Sequence, residues 1–288
     1  MAHYAATGAQ VSLVTCTLGE EGEVLLPALA LLATDHADQL GGWRIAELAE
    51  AMSELGVTDH RFLGGAGRFR DSGMMDHPAN TKPRAFWRAD SEPAVFHAAV
   101  SALVEIVREL RPQVMVTYDD FGAYGHPDHI MAHRVATAAA KAAADPGFAA
   151  AGQPWTVSKF YWTTMPRSVM ATQLEAMKAA GGELPFEGVE SVDDIPFVVA
   201  DELVTTVLHA PEHGAAKMRA LAAHRTQITV DGPFFALSNN LGQQVMGTEY
   251  FRLVDGVPGG ELDQDGRETD LFGGLQLQDQ AGSAVRTG

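Results

Sequence analysis

Short apolar runs along this chain alternate with longer segments whose apolar residues recur at helical spacing. The runs that predict buried strands are residues 11–16, 61–63, 114–118, 159–164 and 197–200. The segments that predict helices are residues 1–6, 44–55, a long segment capped by Ser91 with Pro93 in its first turn, 130–144 entered through Pro127, and 211–224. Strand, polar loop and helix repeat in this order, which is typical of a Rossmann-like, doubly wound, mostly parallel α/β domain.

The pattern of predicted elements and the composition change twice along the chain. Residues 1–257 predict a single domain, with an α/β core at 1–144 and a C-terminal α+β elaboration at 145–257, in which 234–240 reads as irregular. Residues 258–288 are rich in Gly, Asp and Gln and predict a loosely ordered tail. The chain opens on a helix stopped by Gly8, whereas an α/β unit normally opens on a strand. We therefore expect the sheet to lack its first strand.

Composition narrows the classes of function. The 288 residues carry 37 acidic and 20 basic side chains, and this net charge of -17 argues against binding to nucleic acid or to anionic membranes. No apolar run reaches the roughly 18 residues of a membrane span. Cys16 is the single cysteine, so an internal disulfide and a multi-cysteine metal site are excluded. These features predict a cytoplasmic protein.

The densest polar cluster follows the strand at 114–118. His126 and His129 are three residues apart and share a face of the helix that Pro127 opens, and neutral imidazole is a common zinc ligand. Asp128 is a candidate for orienting a ligating histidine, and Tyr124 for donating to an oxyanion. The alternative is a polar helix start with solvent-exposed histidines. His133, four residues further on, is expected to be structural.

Acidic and basic candidates lie on other loops. A catalytic zinc takes three protein ligands and keeps one position open. The candidates for the remaining ligands are Glu20, Glu21, Glu23 and Asp119, although an exposed acidic loop is the alternative for the glutamates. The glycines at 64–67 match no phosphate-binding fingerprint and predict a tight turn.

Arg44 and Asp71 are candidates for gripping a polyhydroxylated substrate, because guanidinium and carboxylate groups bind hydroxyls well. The alternative for each of them is a surface ion pair.

Taken together, five segments resemble a known family: TCTLGEEGE at 15–23, DHADQLGG at 35–42, LGGAGRFRDSG at 63–73, GHPDH at 125–129 and LSNNL at 237–241. The pattern resembles the zinc-dependent LmbE-like (PIG-L-type) N-deacetylases, and among them those of mycothiol biosynthesis in actinobacteria. The resemblance implies hydrolysis of the acetamide of N-acetylglucosaminyl-inositol, a small-molecule amino-sugar inositol, with one Zn²⁺ per subunit. A homo-oligomer is compatible with it.

The resemblance also implies roles for individual residues. His129 matches a zinc ligand, His126 matches a histidine that assists as an acid or electrostatic stabiliser, Tyr124 matches the tyrosine at the oxyanion, and Asp128 matches an acidic neighbour that orients a histidine. Its substrate-binding positions match Arg44, Asp71 and Glu23.

Two departures from the family pattern affect the expected activity. The family carries His-Pro-Asp-Asp after its first strand, supplying two further zinc ligands and the general base. The other His-Pro of this chain, His77-Pro78, is followed by Ala79-Asn80 and does not match. The resemblance places the motif on a strand immediately upstream of Met1, so we expect residues 1–288 alone to bind metal weakly and to turn over negligibly. In the loop before Gly125, Ala123 and its neighbours Asp120 and Phe121 stand where Gly, Pro and Asn are usual.

Two other functions stay open at this point. A mycothiol S-conjugate amidase would use the same chemistry on a different substrate. A non-catalytic sugar-binding protein would keep Arg44 and Asp71 but would need no complete metal site.

Overall fold

The computed structural model describes residues 1–179, 189–229, 235–237, 242–243 and 247–276. Its helices are α1 (Ala2–Ala6), α2 (Leu40–Glu54), α3 (Pro93–Leu110), α4 (Gly122–Gly125), α5 (Pro127–Ala144), α6 (Arg167–Ala179) and α7 (Gly214–Ala223). Its strands are β1 (Ser12–Thr15), β2 (Asp59–Phe62), β3 (Val114–Thr117), β4 (Lys159–Pro166), β5 (Val198–Val199), β6 (Thr206–His209), β7 (Ile228–Thr229), β8 (Phe235–Leu237), β9 (Gly242–Gln243) and β10 (Thr248–Asp255). The strands and helices predicted above are confirmed within a few residues.

The strands of the first half pair in parallel, as expected. β1 pairs with β2, β3 with β4, and β4 with β5. β10 then pairs antiparallel with both β4 and β6, which gives the C-terminal half its α+β character. The result is a mixed α/β fold in which β1 to β5 all pair in parallel.

Helices cover both faces of the β1–β2 pair. Val14 of β1 packs on a core cluster built mainly from α3 and α5, whereas Leu13 packs on a second cluster built from α2 and α7. Successive side chains of a strand point to opposite faces, so adjacent residues of β1 reach different helix layers. This arrangement is doubly wound, in agreement with the sequence.

The sheet is divided between β1 and β3. Among the described residues, β1 has one strand partner, β2, and β3 has one, β4. Val14 of β1 and Met115 of β3 nevertheless contact the same hydrophobic cluster. Val116 of β3 is 40% exposed, in keeping with the position of β3 at the edge of its sheet among the described residues.

Part of the C-terminal tail is ordered, and the expectation of a loose tail is wrong for residues 258–276. Glu268 is buried and forms an ion pair with buried Lys159 of β4. The Glu268 carboxylate also accepts hydrogen bonds from Tyr161 Oη at 3.0 Å and Thr206 Oγ1 at 2.9 Å. The glycine and aspartate content of the tail predicts flexibility. The Glu268 carboxylate overrides this tendency, because it neutralises a buried lysine.

The N-terminal helix is attached to this tail. Tyr4 Oη of α1 donates to Asp270 Oδ1 at 2.8 Å and accepts from the Leu271 backbone N–H at 2.8 Å. The Tyr4 ring also lies edge-on to Phe272, with ring centroids 5.3 Å apart. These contacts hold the two ends of the described chain together.

Two smaller expectations also differ from the structure. α3 begins at Pro93 with Glu92 in the cap position, so Ser91 is not the cap. The segment 234–240, expected to be irregular, contains β8, which pairs with β7 and β9. The rest of the LSNNL segment, residues 238–241, lies outside the described residues. No helix in the described part of the chain is long and apolar enough to cross a membrane.

Candidate active site

The loops that leave β1, β2 and β3 converge at the carboxyl edge of the strands. The Glu21 backbone N–H donates to Asp71 Oδ2 at 3.2 Å, which joins the first two loops. The Ser72 backbone N–H donates to Asp128 Oδ2 at 3.0 Å, which joins the second loop to α5. Ligands of open α/β sheets bind at this edge, so the three loops form the candidate active site. The glycines at 64, 65 and 67 all have positive φ and make the tight turn that the sequence predicts.

His126 caps the start of α5 with its side chain. Its Nδ1 accepts the Asp128 backbone N–H at 3.1 Å, so the neutral imidazole carries its proton on Nε2. That Nε2 lies 3.9 Å from Asp71 Oδ1. Burial lowers the pKa of His126, and the charge of Asp71 partly opposes this shift. The cap therefore points a protonated nitrogen into the site.

His129 is held in the complementary state. Its Nδ1 lies 3.3 Å from the Gly122 carbonyl, which can only accept, so Nδ1 carries the proton and Nε2 keeps its lone pair. The ring stacks on Tyr118, with centroids 4.1 Å apart and an interplanar angle of 4°. Burial, followed by the charge of His126, lowers the pKa of His129 to about 4. His129 is thus a neutral imidazole with a free nitrogen, as a metal ligand requires.

The loop between β3 and α5 presents Tyr124. The Tyr124 ring lies edge-on to His129 with ring centroids 5.1 Å apart. Burial first, then the charge of Asp71, raises the pKa of Tyr124, so its hydroxyl stays a donor at neutral pH. Asp119 braces this loop, because its Oδ1 accepts the Ala123 backbone N–H at 2.8 Å. The contact of Asp119 is therefore local and structural, and Asp119 is not retained as a candidate metal ligand.

Ala123 has an unusual backbone conformation, with φ 61° and ψ -88°. These angles belong to the γ-turn with positive φ, which is strained for a residue with a Cβ. A glycine would adopt these angles without that strain.

Asp128 behaves differently from the expectation. Its backbone N–H, not its carboxylate, contacts His126, while the carboxylate accepts from Ser72. Burial and the neighbouring charge of Asp71 raise the pKa of Asp128 well above its usual range. Asp128 therefore joins loop 63–73 to α5, and among the described residues its carboxylate orients no histidine.

Arg44 reaches the site from α2. Its Nη1 donates to the Gly19 carbonyl at 3.0 Å. Burial lowers its pKa, and the carboxylates of Asp71, Glu47 and Glu20 oppose this shift. Asp71 in turn accepts the Gly73 backbone N–H at 2.9 Å. Arg44 and Asp71 thus lie in one electrostatic environment, and their substrate-binding role stays a prediction.

The acidic loop 20–23 is mostly buried, and the alternative of an exposed acidic loop is wrong for its first two glutamates. Glu20 Oε2 accepts the backbone N–H groups of Leu18 at 3.2 Å and Asp71 at 3.0 Å. Glu21 pairs with Arg70 at 2.9 Å and with Lys82 at 2.7 Å. Glu20 and Glu21 thus shape the loops and are not metal ligands in this arrangement.

Glu23 lies apart from the other candidate residues. It is exposed, and its backbone carbonyl accepts from Gln227 Nε2 at 2.9 Å. The structure does not bring its side chain to Asp71 or His126, so its substrate-binding role stays a prediction.

Several residues of the site escaped the sequence analysis. Buried Glu47 of α2 accepts the Thr226 backbone N–H and hydroxyl, each at 2.9 Å, and so holds the segment after α7 beside Arg44. His224, whose pKa burial lowers, also feels the charge of Arg44. The signal that could have indicated Glu47 is a charged residue on the otherwise apolar face of α2. His133 is structural, as expected, because its Nδ1 bonds the Tyr118 carbonyl at 3.0 Å.

The metal-binding capacity of this site is incomplete. His129 offers one free nitrogen, and a catalytic zinc takes three protein ligands. In the part of the chain that the structure describes, no group of three metal-ligating side chains lies close together around His129. The residues present therefore do not by themselves hold a zinc ion here.

Comparisons with known proteins agree with the geometry. The family model described as GlcNAc-PI de-N-acetylase (PIG-L) matches residues 1–140. A protein of Geodermatophilus obscurus named 1D-myo-inositol 2-acetamido-2-deoxy-alpha-D-glucopyranoside deacetylase is 61% identical, over 96% of this chain and 91% of its own length. A protein of Catenulispora acidiphila named 1D-myo-inositol 2-acetamido-2-deoxy-alpha-D-glucopyranoside deacetylase 1 is 53% identical. The match covers 100% of this chain and 87% of the length of that protein.

This chain belongs to the PIG-L family. Members of this family are generally metal-dependent deacetylases, and the chain is an enzyme of the deacetylase type. Among solved structures, the 4-carboxy-2-hydroxymuconate hydratase of Pseudomonas putida superposes with a TM-score of 0.53 at 14% identity, covering 91% of each chain. That likeness shows the fold alone.

Proposed function

We propose that this chain is an N-deacetylase that hydrolyses the acetamide of N-acetylglucosaminyl-inositol to the free amine and acetate, a step of mycothiol biosynthesis. Relatives at 53–61% identity over nearly the whole chain carry the name of this activity. The structural observation that supports it is the convergence of Arg44, Asp71, Tyr124 and His126 on one edge of the sheet. The single free thiol, Cys16, suits the reducing cytoplasm, where we place the protein.

Arg44 and Asp71 bind the hydroxyl groups of the substrate. The Gly19 carbonyl occupies one guanidinium nitrogen of Arg44, and the remaining N–H groups can donate to a hydroxyl. Asp71 accepts from the backbone through both of its oxygens and keeps further lone pairs for a hydroxyl donor. Two fixed groups of opposite charge orient a polyol better than one.

Tyr124 and His126 act on the acetamide. Water adds to the carbonyl carbon, the C–N bond breaks, and the nitrogen leaves as an amine after gaining a proton. The protonated Tyr124 hydroxyl donates to the oxyanion of the tetrahedral intermediate. His126 presents Nε2–H on the side of Asp71, so its neutral imidazole donates a hydrogen bond that stabilises the charge developing there. The proton that the amine gains comes from the attacking water.

The metal of the family is, we propose, zinc with His129 as one ligand. The described residues do not complete this site, so no step above uses the ion. The resemblance to the family implies that a His-Pro-Asp-Asp motif supplies the remaining ligands and the general base. Within residues 1–288, the described side chains around His129 include no candidate general base placed like that motif.

The experiment compares residues 1–288 with the same chain fused to an N-terminal strand and turn bearing His-Pro-Asp-Asp. Both proteins are incubated with Zn²⁺ and N-acetylglucosaminyl-inositol, and the free amine is measured. We expect the extended protein to bind zinc tightly and to hydrolyse the substrate, whereas residues 1–288 bind sugar with negligible turnover. Replacing His129 by Ala in the extended protein should remove both zinc and activity, and retention of both would overturn the assignment.

A substrate panel decides between the proposed function and its alternatives. A mycothiol S-conjugate cleaved faster than N-acetylglucosaminyl-inositol would identify the amidase. Binding of glucosaminyl-inositol without hydrolysis by either protein would identify a non-catalytic sugar-binding protein.

A further inference from the structure

Three metal-ligating side chains meet apart from the candidate active site, where α1 touches the turn before α7. His3 lies in α1, and Glu212 and His213 lie in the 3-10 turn Pro211–His213. One ligand atom from each side chain lies within 4.8 Å of the other two. In the described part of the chain, this is the one group of three such side chains that is so close.

The distances within the group suit a tetrahedral ion. The single oxygen Glu212 Oε1 lies 3.7 Å from His3 Nδ1 and 3.6 Å from His213 Nε2. Both distances are too long for good hydrogen bonds. Ligand atoms about 2.0–2.1 Å from a tetrahedral zinc lie about 3.3 Å from one another. Shifts of a few tenths of an ångström would therefore bring Glu212 Oε1 to coordination spacing from each histidine nitrogen, and the two nitrogens already lie within 4.8 Å of each other.

The orientation of His3 is the second supporting observation. Its Nδ1 is buried and has no hydrogen-bond partner within the described structure, an arrangement that costs free energy unless something else binds that nitrogen. The rings of His3 and His213 are 5.7 Å apart at 78°, so they are not stacked on each other and both nitrogens can face one point. The side chains are 29% and 25% exposed, so an ion has access from solvent.

We propose that His3, Glu212 and His213 bind a divalent zinc-type metal ion at a site separate from the candidate active site. Two histidines and one carboxylate are borderline ligands that favour zinc and its transition-metal neighbours over magnesium or calcium. The ion joins α1 to the turn that starts α7. We assign it a structural role, because it would link α1 to the turn that leads into α7, and α7 packs on α2. The inference does not depend on the proposed function.

The test is a Zn²⁺ titration followed by calorimetry and by the NMR signals of the histidine rings. We expect one ion to shift the His3 and His213 signals and to raise the melting temperature. Glu212→Gln and His213→Gln should each weaken binding about tenfold or more, because one of three ligands is lost. Both changes lie on the surface, so the variants should fold.

Two controls make the test specific. His36→Gln removes another exposed histidine that has a carboxylate neighbour, Asp35 at 3.9 Å, and should leave the affinity unchanged. His129→Ala should leave this ion in place, which separates the new site from the proposed catalytic zinc. Zinc binding that is absent in the wild type, equal in His213→Gln, or lost in His36→Gln or His129→Ala would overturn the proposal.

Discussion

His126 Nε2 lies 3.9 Å from Asp71 Oδ1, although the two residues belong to loops that follow different strands. The carboxylate at this distance faces a ring nitrogen that carries a proton, because the other nitrogen already accepts a backbone N–H. Asp71 also feels Arg44 and raises the pKa of Tyr124 and Asp128. Burial is the largest cause of these pKa shifts, and the charge of Asp71 is the second cause in each of them.

Asp71→Asn should lower both the affinity of the site for its ligand and the stability of the fold. Asn keeps one acceptor oxygen for the backbone N–H groups of Glu21 and Gly73 but loses the charge that faces Arg44. We expect the free energy of unfolding to fall by about 1–3 kcal/mol, and the affinity for glucosaminyl-inositol to fall with it. Urea unfolding and calorimetry measure the two effects.

The control for this change is Asp90→Asn, which breaks a partly exposed ion pair with Arg134. It should cost less than about 1 kcal/mol and leave sugar binding unchanged. If Asp71→Asn binds glucosaminyl-inositol as tightly as the wild type, Asp71 is not a substrate-binding residue.

Arg44→Lys should weaken the binding of glucosaminyl-inositol about tenfold, because an ammonium cannot hold the Gly19 carbonyl and a hydroxyl in a planar fork. Arg61→Lys is the matched control, since Arg61 pairs with Asp59 and Glu109 outside the site. Calorimetric titration of both variants checks the expectation. Equal affinities in the two variants would show that Arg44 only braces the loop.

Ala123→Gly should stabilise the chain by about 1 kcal/mol, because glycine adopts positive φ without the strain that the Cβ of Ala123 causes. Ala49→Gly, at an exposed position inside α2, should have the opposite effect of about 1 kcal/mol. Chemical denaturation of the two variants gives both numbers. A destabilised Ala123→Gly would mean that the loop is held in this conformation without strain.

Glu268→Gln should destabilise the fold by about 3–5 kcal/mol, because it leaves the buried ammonium of Lys159 without its counter-charge. Glu92→Gln, which removes a partly exposed pair with Arg88, should cost less than about 1 kcal/mol. The comparison also tests the order of the tail. A small effect of Glu268→Gln would show that residues 258–276 contribute little to the stability of the domain.

The stability contributed by Glu268 should depend on pH. Burial raises its pKa, but hydrogen bonds from Lys159, Gly259 and Thr206 outweigh this, and the folded pKa lies below the ordinary value of 4.5. A lowered pKa stabilises the folded state above the unfolded pKa, and the contribution is lost as the pH falls through the folded pKa. The difference in unfolding free energy between wild type and Glu268→Gln should therefore be constant near neutral pH and shrink below about pH 4.5.

Cys16 should react slowly with thiol reagents in the folded protein. Burial, followed by the charge of Asp128, raises its pKa to about 12, so the reactive thiolate is scarce at pH 8. We expect native labelling to be slower than labelling in urea by a factor on the order of a thousand. Equal rates would show that Cys16 is accessible and ionised.

The alternation of strands and helices, the GHPDH and LGEEGE segments and the early helix could all be recognised in the sequence, because they depend on local periodicity or on neighbouring residues. His126 and His129 share a helix start, so their spacing already brought them together. The helix before the first strand could also be recognised, since it breaks the usual βα repeat.

Contacts between distant segments were decided only by the tertiary structure. The sequence could not show that Glu20 and Glu21 turn inwards, because a glutamate is buried only when remote donors such as Arg70 arrive. Nor could it show that Glu268 neutralises Lys159 and orders part of the tail, or that His3 meets His213. Local sequence determines which backbone each segment prefers, whereas burial of charge depends on which partners the fold brings within a few ångströms.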